Sequence, residues 1–142
     1  MKPEDIAKQG SETAHQVALF CWAAQELAAG RYKELVLLHH IPNGGSRHKA
    51  EAATLKAAGV KAGVLDLFLP VPKWHVDNGV RTALQACGLY IEMKAPTERN
   101  KRNGGLSDQQ VLFGNAVADN GYAVACCYTW EEARDTLLAY LS

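Results

Sequence analysis

The spacing of apolar positions changes several times along the chain, and each change marks an element. After Ser11, a good N-cap residue, Ala14, Val17, Ala18, Cys21, Ala24 and Ala28 recur at helical spacing, and Gly30 suits the C′ position that ends such a helix. Residues 35–39 form a short apolar run that reads as a buried strand. Asn43, Gly44 and Gly45 make a turn, Ser46 is placed to cap a second helix running to about Ala58, and Gly59 stops it. Two strand-like runs follow at 65–69 and 89–93. Between them, 71–87 reads as irregular, with Pro72 and Asn78-Gly79 as breakers and a short helical turn near Ala83. A polar, basic loop spans 96–105. Ser107 and Gln110 fit a capping box that opens a third helix, closed at Gly121. Residues 122–128 read as a strand, and Thr129 with Glu132 as a second capping box for a final helix to Leu141, whose apolar side includes Ala133, Leu137 and Leu138. The predicted order, α-β-α-β-β-α-β-α, makes one α/β domain over residues 1–142, a mixed central sheet flanked by helices.

Composition narrows this picture only in part. Hydrophobic residues make up 48% and charged residues 21% of the 142, the balance of a folded domain and not of a disordered tail. No apolar run reaches the ~20 residues of a membrane span. The first nine residues lack a signal-peptide core, so the cytoplasm is the expected location and no membrane partner is expected. The four cysteines, Cys21, Cys87, Cys126 and Cys127, contain no C-x-x-C pair and read as reduced thiols. Net charge is zero, which argues against a broadly basic nucleic-acid binder, although Arg99, Lys101 and Arg102 form a local basic run.

One constellation carries chemistry. Asp66 opens one strand, and Glu92 and Lys94 lie two apart on another, so their side chains share a face while Met93 turns toward the core. If the strands pair, two carboxylates and an ammonium converge at one edge of the sheet. Carboxylate oxygens suit a hard dication such as Mg²⁺, and a lysine beside them can orient water or offset developing negative charge: the requirements of phosphodiester hydrolysis. Either motif alone is commonly a solvated face. Here each borders a strongly apolar run, where a charge needs solvent or a partner.

Longer stretches add specificity. Residues 41–45 (Ile-Pro-Asn-Gly-Gly), 59–70, 88–94 and the Leu106-Ser107 to Gln110 stretch occur in the order seen in the VRR-NUC family of the PD-(D/E)xK superfamily, which the chain resembles over nearly its whole length. The resemblance implies a restriction-endonuclease-like core and a stand-alone, phage or prophage type of DNA endonuclease. It would use Mg²⁺ (with Mn²⁺ as a substitute), act on branched DNA such as four-way junctions, and work as a homodimer. It further implies that Asp66 and Glu92 are metal ligands together with the Met93 carbonyl, that Lys94 is the catalytic lysine, that Glu12 adds a carboxylate, and that Gln110 acts at the site. Two departures stand out: Leu65 occupies a position where the family often has proline, and 71–87 is longer than usual.

Several of these positions have plainer readings. Glu12 in a helix's first turn already complements the helix dipole, and Gln110 at N3 is already used by a capping box. Asn43, Gly44, Gly45 and Arg47, at a strand-to-helix turn, are candidate DNA-backbone contacts, as are Lys61, Arg99, Lys101 and Arg102. Most of the five histidines read as surface or core-edge residues, and His39-His40 before Asn43 resembles an HNH-type nuclease motif only faintly, since its paired downstream ligands are missing. Two other functions fit the same chain: a non-catalytic DNA-binding or interaction module that keeps the fold, and a small-molecule hydrolase using the same carboxylates.

Overall fold

The computed structural model describes residues 1–42 and 48–142. Two helices, α1 (Pro3–Ala7) and α2 (Glu12–Ala28), precede a two-residue strand β1 (His39–His40) and helix α3 (Lys49–Ala57). Strands β2 (Leu67–Leu69), β3 (Lys73–Asp77), β4 (Val80–Ala86) and β5 (Leu89–Met93) follow. Helix α4 (Asp108–Asp119), strand β6 (Ala123–Cys127) and helix α5 (Trp130–Leu141) complete the chain. The main sheet runs β1-β2-β5-β6, with β1/β2 and β2/β5 antiparallel and β5/β6 parallel. The parallel pair needs a crossover, and α4 supplies it. The sheet is mixed and flanked by helices, as the pattern predicts.

One face of the sheet makes the core. Leu67, Leu69, Leu89, Ile91 and Met93 pack against Ala18, Leu19 and Trp22 of α2 and Ala133 and Leu137 of α5. Burying a leucine side chain stabilises by roughly 1.5–3 kcal/mol, so this alternate-residue row is what fixes strand register. Residues of opposite parity, Phe68 and Tyr90, stack on the other face at 4.4 Å, and Phe113 of α4 meets Tyr90 edge-on. The buried His15 accepts a hydrogen bond at Nδ1 from the Trp130 N–H, 3.1 Å away, which satisfies a free amide at the start of α5 and ties it to α2.

Four local expectations need correction. The 35–39 run is not a strand: residues Lys33–Leu37 form a 3-10 turn, and only His39 and His40 pair with β2. Region 71–87 is not irregular. It is the β3–β4 hairpin, turned by Asn78 (φ 50°) and Gly79 (φ 76°), the left-handed pair that a tight hairpin turn demands. The buried face of α2 is Ala14, His15, Ala18, Leu19, Trp22 and Ala23, whereas Val17 is 51% exposed; the large Leu19 and Trp22 set the orientation, not the alanines. Finally, α3 has His48 at its N-cap, without a side-chain cap bond, while the expected cap Ser46 lies outside the described residues. The remaining caps hold, the expected Thr129–Glu132 capping box only in its Thr129 half. Ser11 accepts from the Ala14 amide, Gly30 takes φ 75°, and Ser107 with Gln110 forms a complete capping box. Thr129 caps α5, with Glu132 turned to the Tyr128 amide beside it. Among the described residues, no helix is long and apolar enough to cross a membrane.

Candidate active site

The register Leu67↔Ile91 continues by one residue to place Asp66 opposite Glu92, at the end of the β2/β5 ladder. There the side chains take over from the backbone. The Asp66 N–H donates to Glu92 Oε1 at 3.0 Å, and the Met93 N–H donates to Asp66 Oδ2 at 2.9 Å. Each carboxylate thus holds the strand opposite to its own. Glu92 is only 2% exposed, and its second oxygen, Oε2, accepts from Gln110 Nε2 at 2.8 Å with Lys94 Nζ at 3.5 Å.

Gln110 serves two tasks with one amide. Its Oε1 accepts from the Ser107 N–H at 2.9 Å, completing the cap of α4, while its Nε2 reaches Glu92. The two readings that compete in the sequence are compatible in space. The loop before β2 brings this helix end close. Gly63 sits at φ 89°, and a Cβ there would lie 2.5 Å from the Gln109 carbonyl carbon and oxygen, so only glycine permits the approach.

Electrostatics follow from this packing. Burial, with the Asp66 charge adding to it, pushes the Glu92 carboxyl up to about 8, and Lys94 opposes the shift. The Glu12 carboxyl, at the first position of α2, is also raised by burial and then by Asp66, again opposed by Lys94. A cleft of about 680 Å³ opens onto the group, lined by Glu12, Asp66, Glu92, Lys94 and Gln110 together with His40. Thr13 and Gln16 continue the α2 wall.

Five predicted site residues therefore meet in one cleft. The Met93 side chain is fully buried in the core, and its backbone adjoins the pair through the bond to Asp66. Lys61 is exposed and lines a smaller neighbouring groove with Ile41, Pro42 and Val64. Arg99, Lys101 and Arg102 do not line the cleft, and each is matched by an acid: Arg99 by Glu132, Lys101 by Glu98 at 3.2 Å, Arg102 by Asp108 at 3.5 Å. Arg99 also lies 4.5 Å over the Tyr128 ring. Asn43, Gly44, Gly45 and Arg47 lie outside the described residues. His40 is the cleft residue that the sequence reading leaves on the surface; its place immediately before the Ile41-Pro42 block was the available signal.

The donor set fits a hard dication. Among the described residues no three His, Cys, Asp or Glu side chains are gathered closely enough to hold a metal ion outright. Mg²⁺, however, is commonly held by only one or two carboxylates, with waters and substrate phosphate completing its shell. Asp66 and Glu92 are such a pair, and the upward shift of Glu92 comes first from burial and then from the Asp66 charge, which a cation bound between the two would offset.

No protein-family model matches the chain, and no curated protein matches it. Among solved structures it is similar to a VRR_NUC domain protein, at 23% identity and a TM-score of 0.68, over 92% of this chain and 87% of that one. A likeness of this depth shows a shared fold, the mixed sheet flanked by helices described above.

Proposed function

We propose that this chain is a Mg²⁺-dependent deoxyribonuclease of the VRR-NUC type that hydrolyses phosphodiester bonds in branched DNA. The observation that carries the reading is the cross-strand pair Asp66–Glu92, two carboxylates facing one cleft beside Lys94. Asp66, Glu92 and the Met93 carbonyl are the residues for the cation, and Glu12 adds a carboxylate from the opposite wall. When bound, Mg²⁺ polarises the phosphoryl group and lowers the pKa of water. The protein's own part is positioning and charge. Gln110 fixes the plane of the Glu92 carboxylate. Lys94, 3.5 Å from Glu92, offers a positive charge to the pentavalent phosphorus as negative charge develops on its oxygens. Asn43, Gly44, Gly45, Arg47, Lys61, Arg99, Lys101 and Arg102 are the proposed contacts to the DNA backbone, the last three by exchanging their acidic partners for phosphates.

Among the described residues there is one such constellation, so one molecule cuts one strand per encounter. Symmetric cleavage of a four-way junction needs two sites related by a two-fold axis, which a homodimer provides. The test is cleavage of a synthetic four-way junction and of linear duplex of matched sequence, with Mg²⁺, with Mn²⁺ and with chelator, alongside light scattering. The reading expects a dimer, dependence on the added cation and preference for the junction. Cation-independent cleavage removes the metal assignment, and a monomer with equal rates on both substrates removes the branched-DNA and dimer assignments.

A further inference from the structure

Beside Asp66 the cleft contains a group to which the proposed reaction has so far given no task, the imidazole of His40. The ring is exposed on β1, pairs by register with Leu67, and lines the cleft beside Asp66. Its Nδ1 lies 2.9 Å from the Asp66 carbonyl oxygen, which also accepts the Ile41 N–H at 2.7 Å. A carbonyl oxygen only accepts, so Nδ1 carries the hydrogen and the neutral ring presents a lone pair at Nε2.

Most neighbouring acceptors on the sheet side are engaged. Asp66 Oδ2 takes the Met93 amide, both Glu92 oxygens take N–H donors, and both polar atoms of the Gln110 side-chain amide are used. Lys94 only donates. On the sheet side of the cleft, Asp66 Oδ1 and His40 Nε2 are the acceptors for which no partner is found among the described residues, and with Asp66 assigned to the cation His40 Nε2 is left for water.

We propose that His40 is a further catalytic residue: its Nε2 accepts a hydrogen bond from the attacking water and so aims the water's oxygen at the scissile phosphorus. The inference rests on the nuclease reading above. One O–H of the water donates to Nε2, the oxygen forms the new P–O bond, and the ester P–O bond breaks with its electron pair on the departing oxygen, which takes a proton from solvent. The proton released from the water passes to solvent, so the imidazole orients and need not keep it. The Nδ1–H bond to Asp66 fixes the ring's tautomer and angle, the arrangement by which a hydrogen-bonded histidine is held for use at its other nitrogen. Orientation of this kind is worth about 10²-fold in rate when lost.

Asparagine separates the two nitrogens, because its amide can still donate to the Asp66 carbonyl but carries nothing at the position of Nε2. His40→Asn should melt like wild type, bind DNA and Mg²⁺ with unchanged affinity, and cleave about 10²-fold more slowly at saturating DNA. His40→Ala should be equally slow, and free imidazole should restore part of its rate saturably, a response that a purely structural role does not give. Wild-type rates in His40→Asn, or His40→Ala unresponsive to imidazole, overturn the assignment while leaving the nuclease reading intact. A fall in Mg²⁺ affinity measured without DNA also overturns it, by making His40 a metal ligand. If the wild type cleaves no DNA under any cation, both readings fall together.

Discussion

Two charged regions lie close together in this protein and handle charge in opposite ways. In the turn segment 96–105, every cation has an acid beside it, at the surface, where such pairs contribute little to stability. At the end of the β2/β5 ladder, two carboxylates face each other in the partly buried interior with one lysine at 3.5 Å. Three of their four carboxylate oxygens take N–H donors, and one lysine faces two negative charges. The protein keeps this pair of like charges at a cleft of about 680 Å³, the combination expected of a site that recruits a cation. The surface run that looks most like a binding patch in the sequence is already neutralised within the fold.

The largest effect should come from breaking the pair's charge. Glu92→Gln keeps size and removes ligand charge, and cleavage should fall by at least about 10³-fold. Lys94→Ala should slow the reaction by about 10²-fold while Mg²⁺ affinity, measured by calorimetry, stays within twofold or rises. A Glu92→Gln protein with wild-type turnover would place the chemistry elsewhere.

A second effect concerns stability in chelator. The folded Glu92 carboxyl is raised to about 8 from its ordinary value of 4.5, so between these pH values the folded state holds a proton that the unfolded state has lost. Stability contributed by this group is full below the lower value and declines as pH rises toward the upper one. Denaturant unfolding at pH 5, 7 and 9 should show that decline, and Mg²⁺ should oppose it at high pH. Asp66→Asn should flatten the slope, since it removes the second-largest cause of the shift. A slope of the opposite sign in this window contradicts the burial of Glu92.

The smallest effect belongs to the turn segment. Neutralising Arg99, Lys101 and Arg102 together should leave the unfolding midpoint almost unchanged. It should lower the salt dependence of DNA binding by roughly 0.9 for each phosphate contact actually lost. An unaltered salt slope would reduce the segment to a solvated connection, sharpening the contrast with the cleft.

Much of this was legible in the sequence because local rules and tertiary structure agree. Ser11, Ser107 and Thr129 cap the helices that their spacing announces, and the row Leu67, Leu69, Leu89, Ile91 fixes which face Asp66 and Glu92 take. What misled was equally local. An apolar run at 35–39 looks like a strand because composition alone does not separate a strand from a turn that buries Leu35 and leaves Val36 and Leu37 exposed. The Asn78-Gly79 pair reads as a breaker when taken singly and as a hairpin when taken with its flanks. His40 carries no motif, and only the antiparallel pairing of β1 with β2 reveals its position against the Asp66 carbonyl. The double engagement of Gln110 depends on the close approach at Gly63, a long-range fact invisible in a capping box.

The central claim is that the Asp66–Glu92 pair is the working centre of a cation-dependent nuclease, and Asp66→Asn tests it most directly. The substitution keeps an oxygen for the Met93 amide and removes the charge, so the fold should persist with an unchanged circular dichroism spectrum. Purified Asp66→Asn protein, assayed with Mg²⁺ on a four-way junction that the wild type cleaves, should show at most about 10⁻³ of the wild-type rate. Cleavage at the wild-type rate by the folded variant would contradict the account.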